Sequence, residues 1–141
     1  MQNSGKQDNI KIGFTNGCYD ILHYGHLQLI NFLKLNCDVV LVAIDSDRRV
    51  KENKGPDRPI NNQIERAYML EGIEAVDDVF VFDSDEELRN LVKDLEVDLM
   101  VVGSDYKNRE VIGSEHAKHT IFFEKIDGYS TTKILQSITS R

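Results

Sequence analysis

The segment at residues 39–44, Val-Val-Leu-Val-Ala-Ile, is apolar at every position and constrains the fold more than any other stretch. A strand with one face in water alternates polar and apolar residues, whereas a strand buried on both faces is apolar throughout. Doubly buried strands belong to parallel sheets that are covered by helices on each side. This segment therefore predicts a parallel sheet between two layers of helices.

Four more strands and four helices are predicted around it. Short apolar runs predict strands at 10–15, 79–82, 97–102 and 120–124. Apolar periodicity and capping residues predict helices that run from 27 to about 36 and begin at 62, 84 and 130 or 131. The alternation predicts an α/β fold, a single Rossmann-like doubly wound parallel sheet of about five strands with helices on both faces. We expect residues 1–9 to form a flexible tail and residues 10–141 to form one domain.

The composition argues against several classes of protein. The net charge of −7 is opposite in sign to that of a general nucleic-acid binder, and no run of about 18 apolar residues is present to span a membrane. Two cysteines and a polar N-terminus predict a cytoplasmic location. We therefore expect neither nucleic acid nor a membrane as a partner.

A ten-residue stretch at 17–26, Gly-Cys-Tyr-Asp-Ile-Leu-His-Tyr-Gly-His, lies where the first predicted strand gives way to a helix. His23 and His26 are three positions apart, which places both rings on one face of the first helical turn. The N–H groups and dipole of a helix start attract anions, and Gly25 lets a ligand approach the backbone. This histidine stretch predicts a phosphate site. A zinc site is the alternative, but the remaining histidines and cysteines lack suitable ligand spacing, so we expect no metal held by side chains.

Positive charge is concentrated at 48–58, where five basic residues accompany two acidic ones. We expect this basic island to be a loop, because a glycine and two prolines lie within it or next to it. Lys51 and Lys54 are candidates to neutralise phosphate oxygens, and a solvated basic loop is the alternative. Arg66, on the next helix, either reaches the same crevice or pairs with neighbouring glutamates.

Two polar segments follow the fourth and fifth predicted strands. Asp105 and Tyr106 come directly after a buried strand, where they either contact a base and ribose or form an ordinary turn. Ser130, Thr131 and Thr132 open the last predicted helix, where their hydroxyls cap the helix or bind phosphate. Parallel strands end at one edge of a sheet, so these segments, the histidine stretch and the basic island can gather in one crevice.

The pattern Gly-x-Tyr-Asp-x-Leu-His-x-Gly-His at 17–26 resembles the signature of the cytidylyltransferase-like nucleotidyltransferases, and Gly-Tyr-Ser-Thr-Thr-Lys-Ile at 128–134 is similar to their second signature. The resemblance runs in order from about residue 10 to residue 138. The catalytic residues that it implies are His23, His26, Lys125 and one or both of Lys51 and Lys54. The nucleotide-binding residues that it implies are Gly17, Cys18, Tyr19, Gly25, Asp105, Tyr106, Ser130, Thr131 and Thr132.

One branch of this family matches better than another. Lys125 stands where cytidylyltransferases often carry arginine, and lysine cannot form the bidentate bonds of a guanidinium. The segments at 55–61 and 103–107 look closer to the adenylyltransferase domain of the bacterial ADP-heptose synthases. The resemblance therefore implies transfer of a nucleotidyl group to a sugar or polyol phosphate, most closely heptose 1-phosphate, with release of pyrophosphate.

The implied chemistry needs no strong base, because the attacking phosphate is already an anion. We expect the histidines to donate to the α-phosphate, while lysines and a Mg²⁺ ion held mainly by the nucleotide phosphates offset the remaining charge. The expected partners are ATP or CTP, a phosphorylated sugar or polyol, and a second copy of the chain. The alternatives are a glycerol-3-phosphate cytidylyltransferase using CTP, a nucleotide-binding regulatory module without turnover, and a flavodoxin-like carrier.

Overall fold

The computed structural model describes residues 9–104 and 108–124, which form a five-stranded parallel sheet in the order β3-β2-β1-β4-β5. The strands are β1 Ile12–Gly17, β2 Val39–Asp45, β3 Asp78–Phe82, β4 Leu99–Gly103 and β5 His119–Phe123. The helices are α1 Tyr24–Asn36, α2 Asp47–Lys54, α3 Gln63–Glu71 and α4 Asp85–Asp94, and a 3-10 turn spans Ser114–His116. The predicted α/β fold with a doubly wound parallel sheet is confirmed.

Alternate side chains of β2 belong to two separate hydrophobic cores. Val40, Val42 and Ile44 pack in the core that contains the buried residues of α1 and α3. Leu41 and Ala43 pack in the core that contains the buried residues of α4. Both faces of β2 are therefore buried, as its uninterrupted apolar sequence predicts.

Aspartates pair the strands at the amino edge of the sheet, the edge at which the parallel strands begin. Three aspartates each make two hydrogen bonds to one residue of the neighbouring segment. The backbone N–H of the aspartate donates to the carbonyl of that residue, and the carboxylate of the aspartate accepts its N–H. The carboxylate bonds, all 2.8 Å long, join Asp38 to Lys11, Asp77 to Val40 and Asp98 to Ile12. These bonds extend the backbone pairing beyond the last regular ladder position.

Side-chain caps fix where two of the helices begin. Asn62 accepts the N–H of Glu65, whose carboxylate accepts the N–H of Asn62, so the predicted start of α3 is confirmed. Ser84 accepts the N–H of Glu87 at the start of α4. The carboxylate of Glu87 binds the N–H of Asp83 instead of the N–H of Ser84, so the capping box predicted there is only half formed.

The prediction that the basic island is a loop is wrong for its first half, which is the helix α2. Ser46 accepts the N–H of Arg49 and caps the start of α2. Gly55, at a φ of 108°, ends the helix. The glycine and prolines that favour a loop all come after Lys54, the last helical residue, so they determine where α2 stops and do not prevent it.

The buried side of α3 also differs from the predicted one. The apolar pattern of this segment predicts a core side that includes Ile64, Tyr68 and Leu70; Leu70 is buried as predicted, but Ile64 and Tyr68 are 77% and 76% exposed. Arg66 is buried instead of them. The apolar pattern fails here because the interior beside the sheet edge holds a guanidinium group.

Strand boundaries differ from the predicted ones by one to two residues, and β1 begins at Ile12 because Lys11 pairs with the carboxylate of Asp38. Residues 1–8 of the predicted tail at 1–9 and the predicted last helix lie outside the described residues. In the part of the chain that the structure describes, no helix has the length and apolar character needed to cross a membrane.

Candidate active site

Two of the predicted polar segments, the histidine stretch and the basic island, follow strands at the carboxyl edge of the sheet, where the strands end. Strand β1 lies between β2 and β4, so the chain winds outward in both directions from it. Doubly wound sheets bind ligands at such a switch point, outside the carboxyl ends of the strands. The histidine stretch leaves β1 here, and α2 follows directly after β2.

The two histidines form a reciprocal cap at the start of α1. His23 is the N-cap residue, and its Nδ1 accepts the N–H of Gly25 at 3.1 Å. The Nδ1 of His26 accepts the N–H of His23 at 3.2 Å. The rings stack with centroids 3.8 Å apart and planes 24° from parallel. Both rings therefore lie together at the first turn, as their spacing predicts.

These hydrogen bonds fix the tautomer of both rings. A neutral imidazole has one donor nitrogen and one acceptor nitrogen, so a ring that accepts at Nδ1 carries its proton on Nε2. Nε2 is then the donor nitrogen of each neutral ring. Two adjacent donors of this kind suit the oxygens of a phosphate group.

Tyr19 packs against His26 from the core. The two ring centroids are 4.8 Å apart, and the Tyr19 hydroxyl lies 3.2 Å from Oγ1 of Thr15. Tyr19 has a positive φ of 50° and is only 5% exposed. Gly17 leaves room for this ring, because a Cβ there would lie 3.1 Å from it. Tyr19 thus supports the histidine pair from the interior.

Asp20 ties the histidine stretch to the loop between α2 and α3. Its buried carboxylate accepts from Nε of Arg58 at 3.1 Å and from the N–H groups of Ile60 and Asn61 at 2.8 Å. The Asn61 amide donates back to the Asp20 carbonyl at 2.9 Å. A buried carboxylate with three donors of this kind positions the two segments relative to each other.

Arg66 joins the ends of β1 and β2 to α2. One terminal nitrogen donates to the carbonyls of Cys18 and Asp45, at 2.9 and 2.8 Å. The other donates to the Asp47 carboxylate at 2.8 Å, and Nε donates to the Asn61 carbonyl at 3.0 Å. Arg66 is 1% exposed and is not among the described residues that line a cavity, and its charged partner is Asp47 and not a neighbouring glutamate, so neither predicted alternative describes it. The rigid fork of a guanidinium suits such a set of fixed acceptors.

Cys18 is a free thiol at the end of the histidine stretch nearest the sheet. Burial raises the pKa of the Cys18 thiol, and this outweighs the opposing effect of the positive charges on Lys54 and Arg66. The thiolate is the nucleophilic form, so a raised pKa leaves Cys18 unreactive near neutral pH.

A cleft of about 760 Å³ opens over the ends of β1 to β4. Cys18 and Lys54 line it, whereas Lys51 is exposed elsewhere on α2. His23 lines a second cavity of about 540 Å³, whose other lining residues are mostly apolar. The histidine stretch therefore lies between two cavities. The volume of the larger cleft is in the usual range for a small-molecule site.

Comparison with known proteins identifies the fold and site as a known type. Residues 14–137 match the family model described as cytidylyltransferase-like. The chain belongs to the cytidylyltransferase-like family. This result confirms the resemblance carried by the histidine stretch.

Relatives of known name narrow the family further. The chain is 46% identical over 125 residues to the "Bifunctional protein HldE" of Campylobacter fetus, across 89% of this chain and 27% of that protein. It is 44% identical over 131 residues to the protein of the same name from Helicobacter pylori strain 26695, across 93% of this chain and 28% of that one. The chain thus spans a little over a quarter of the length of these curated relatives. The family match and these relatives support a nucleotidyltransferase.

The fold has a solved counterpart. A lipopolysaccharide core biosynthesis protein from Thermoplasma volcanium superposes with a TM-score of 0.68 at 18% sequence identity. The match covers 84% of this chain and all of the other. At this identity the likeness shows a shared fold.

Six residues that the sequence predicts in the site lie outside the described residues, so their roles stay predictions. They are Asp105, Tyr106, Lys125, Ser130, Thr131 and Thr132. Within residues 9–104 and 108–124, no group of three or more His, Cys, Asp or Glu side chains is placed to hold a metal ion. The described part of the site therefore consists of the histidine stretch, the cleft and the arginine–aspartate bonds between them.

Sequence reasoning missed the roles of Asp20, Arg58 and Asn61. Asp20 lies inside the family signature, which was a signal that it matters. Arg58 was counted only as part of the basic island, although its side chain is largely buried against Asp20. The contact crosses 38 residues of sequence, so nothing local could reveal it.

Proposed function

We propose that the chain transfers an adenylyl group from ATP to a sugar phosphate of the heptose 1-phosphate type and releases pyrophosphate. The observation that carries this proposal is the stacked histidine pair, whose Nδ1 atoms are bound by the helix start so that both rings present Nε2–H donors. The choice of adenylyl over cytidylyl transfer rests on the sequence resemblance, in which Lys125 replaces an arginine common in cytidylyltransferases.

The reaction is an in-line displacement. A phosphate oxygen of the acceptor bonds to the α-phosphorus of the triphosphate. The bond between the α-phosphorus and the oxygen that links it to the β-phosphorus breaks. The electron pair leaves with pyrophosphate. His23 and His26 donate hydrogen bonds to the α-phosphate oxygens, where negative charge builds up in the transition state. The backbone holds both rings in advance, so little reorganisation is needed.

Lys54 is the better candidate than Lys51 for the phosphate-binding lysine. Lys54 lines the cleft, and its charge acts on the Cys18 thiol at the start of the histidine stretch. Lys125 is proposed as a second cation on the family resemblance alone.

Mg²⁺ is proposed as part of the bound nucleotide. The buried carboxylate of Asp20, close to the histidines in sequence, already accepts three hydrogen bonds and is paired with Arg58. The described residues therefore fit an ion held mainly by phosphate oxygens and water, which is the usual mode for Mg²⁺. When bound, the ion would offset charge on the β- and γ-phosphates.

A homodimer and a cytoplasmic location complete the proposal. The dimer rests on family resemblance, and the exposed apolar side chains of Tyr24, Leu27, Tyr68 and Met69 offer it a surface on α1 and α3. Light scattering at several concentrations tests the dimer, and a monomer mass throughout would contradict it. Two free thiols are consistent with a reducing compartment.

The function is tested by pyrophosphate release with ATP and CTP against a panel of phosphorylated acceptors. We expect turnover with ATP and a heptose 1-phosphate, and His26→Ala should lower kcat by about 100- to 1000-fold, the usual loss for a transition-state donor. His119→Ala, on an exposed residue at the start of β5, is the matched control and should leave kcat unchanged.

Turnover with CTP and glycerol 3-phosphate alone would replace the proposal by the cytidylyltransferase alternative. Nucleotide binding without transfer to any acceptor would favour a regulatory module. Normal turnover by the His26→Ala variant would contradict the mechanism while leaving the reaction itself in place.

A further inference from the structure

The cleft beside the histidine stretch has two kinds of surface. Its interior includes the apolar side chains Val50, Phe82, Leu88 and Val102. Charged and amide side chains line it as well, among them Asn16, Arg49, Lys54 and Asp85. A ligand that fits both must present C–H groups and many hydrogen-bonding groups together, as a polyhydroxylated carbon skeleton does.

Arg49 is bound by two carboxylates and is therefore not available to pair with a phosphate. Its Nε donates to Asp45 at 2.7 Å and a terminal nitrogen donates to Asp85 at 2.6 Å. The guanidinium also lies over the Phe82 ring, 5.2 Å from its centroid. The two carboxylates outweigh the single positive charge of the arginine, and each uses one oxygen for it. The cluster therefore suits neutral hydroxyl groups better than an anion.

The side-chain amide of Asn16 also lines the cleft, at the end of β1 next to the histidine stretch. Its Oδ1 is buried and has no hydrogen-bond partner among the described residues. A buried amide oxygen without a partner costs free energy, and the cost is recovered when the side chain turns to a ligand donor. A hydroxyl in the cleft would supply that donor.

From these observations we infer that the cleft is the acceptor subsite and that Asn16 and Asp85 recognise hydroxyl groups of a phosphorylated sugar longer than three carbons. The inference rests on the proposed function. Lys54 and Cys18 line the same cleft toward the histidine stretch, so the acceptor phosphate faces that end and the sugar hydroxyls face the Arg49 cluster. A three-carbon acceptor placed with its phosphate at that end reaches fewer of these groups.

Two variants test the subsite, and a third is their control. Asp85→Asn keeps one oxygen for Arg49 and replaces the other by a donor, and Asn16→Ala removes the amide. Glu86→Gln also removes one charge from the first turn of α4, but Glu86 does not line the cleft. The KM of each acceptor and of ATP, together with kcat, is measured for glycerol 3-phosphate, a hexose 1-phosphate and a heptose 1-phosphate.

We expect each of Asp85→Asn and Asn16→Ala to raise the KM of the heptose acceptor by about tenfold, the effect of one lost hydrogen bond. The KM of ATP and kcat should stay within about twofold, and the effect on glycerol 3-phosphate should be smaller. Thermal melts show whether each variant is folded. If Asn16→Ala is not folded, Asp85→Asn, which changes an exposed residue, tests the subsite alone. An unchanged heptose KM in a folded Asp85→Asn variant would overturn the subsite.

Failure of the proposed function gives a different result. If no acceptor yields pyrophosphate, calorimetry with heptose 1-phosphate alone still measures binding at the cleft. Binding that Asp85→Asn weakens and Glu86→Gln does not would support the subsite without the reaction. Absent binding, or equal weakening by the two variants, would overturn it.

Discussion

The amino edge and the carboxyl edge of the sheet both carry aspartates, but the two sets have different partners. At the amino edge, Asp38, Asp77 and Asp98 bind backbone N–H groups of the strand beside them. At the carboxyl edge, Asp20 binds Arg58 as well as two backbone N–H groups, and Asp47 binds Arg66, so both carboxylates pair with arginines from distant segments. The first set extends a ladder, and the second set holds loops together.

The difference shows how one residue type serves two purposes in one fold: it extends strand pairing at one edge and fixes loop geometry at the other. A backbone N–H is supplied by any residue except proline, so the amino edge tolerates change in its partners. The carboxyl edge depends on the fork of an arginine and on burial, which fix angles as well as distances. Active sites need groups held close to the geometry of the reaction, and the second arrangement supplies this.

The largest effect of a single substitution is expected at Asp20, on the carboxyl edge. Asp20→Ala removes a fully buried carboxylate and leaves Arg58 without its ion pair, so we expect a loss of about 3–5 kcal/mol in the free energy of unfolding. The histidine stretch also loses its tie to the loop after α2, so kcat should fall. Urea unfolding followed by circular dichroism, with pyrophosphate release, measures both. A loss below about 1 kcal/mol would mean that the two edges do not differ.

Arg66→Lys should have the next largest effect, about 2–3 kcal/mol in the free energy of unfolding. Lysine keeps the charge but cannot reach all the acceptors at Cys18, Asp45 and Asp47 at once. Arg89→Lys is the matched control, because Arg89 is partly exposed and should cost under about 0.5 kcal/mol. Equal losses in the two variants would show that the fork geometry is unimportant.

Asp77→Ala tests the amino edge and should cost about 1–2 kcal/mol, since the N–H of the buried Val40 loses the acceptor that the exposed Asp77 supplies. Chemical denaturation measures the change. The kinetic constants for ATP and the acceptor should not change. A lowered kcat in this variant would show that the amino edge also shapes the site.

The smallest effect is expected at Asp83, a carboxyl-edge aspartate in solvent. The hydrogen bond from Arg48, and then one from Ser46, lower the pKa of Asp83. A lowered folded-state pKa stabilises the fold above the ordinary aspartate pKa of about 3.9, and the contribution is lost as the pH falls through the folded-state value. The difference in melting temperature between Asp83→Asn and the unchanged chain should be constant near neutral pH and vanish in acid. A difference that persists in acid would exclude this origin.

How far the sequence predicts the molecule depends on the range of each interaction. The buried strand at 39–44, the start of α3 at Asn62 and the histidine pair are set by neighbours in sequence, and all were predicted. The helix α2 was missed because the breakers after Lys54 were given more weight than the cap at Ser46. The burial of Arg66 was not predictable, since three of its four acceptors lie 19 to 48 residues away.

The same limit applies to the site. The signature indicated which residues would surround a phosphate, but not that Tyr19 packs beneath His26. The Arg49 cluster was also missed, because Asp85 lies 36 residues from its partner. Pairings of this kind follow from the order of strands in the sheet, which a single sequence does not determine.

The reciprocal cap of His23 and His26 has an evolutionary consequence. Serine, aspartate and asparagine start helices at least as well as histidine does, so a change toward them would keep α1 and abolish the Nε2–H donors. A change made for better chemistry would in turn disturb the beginning of the helix. Two selective demands therefore act on the same pair of side chains, and neither can be improved without affecting the other.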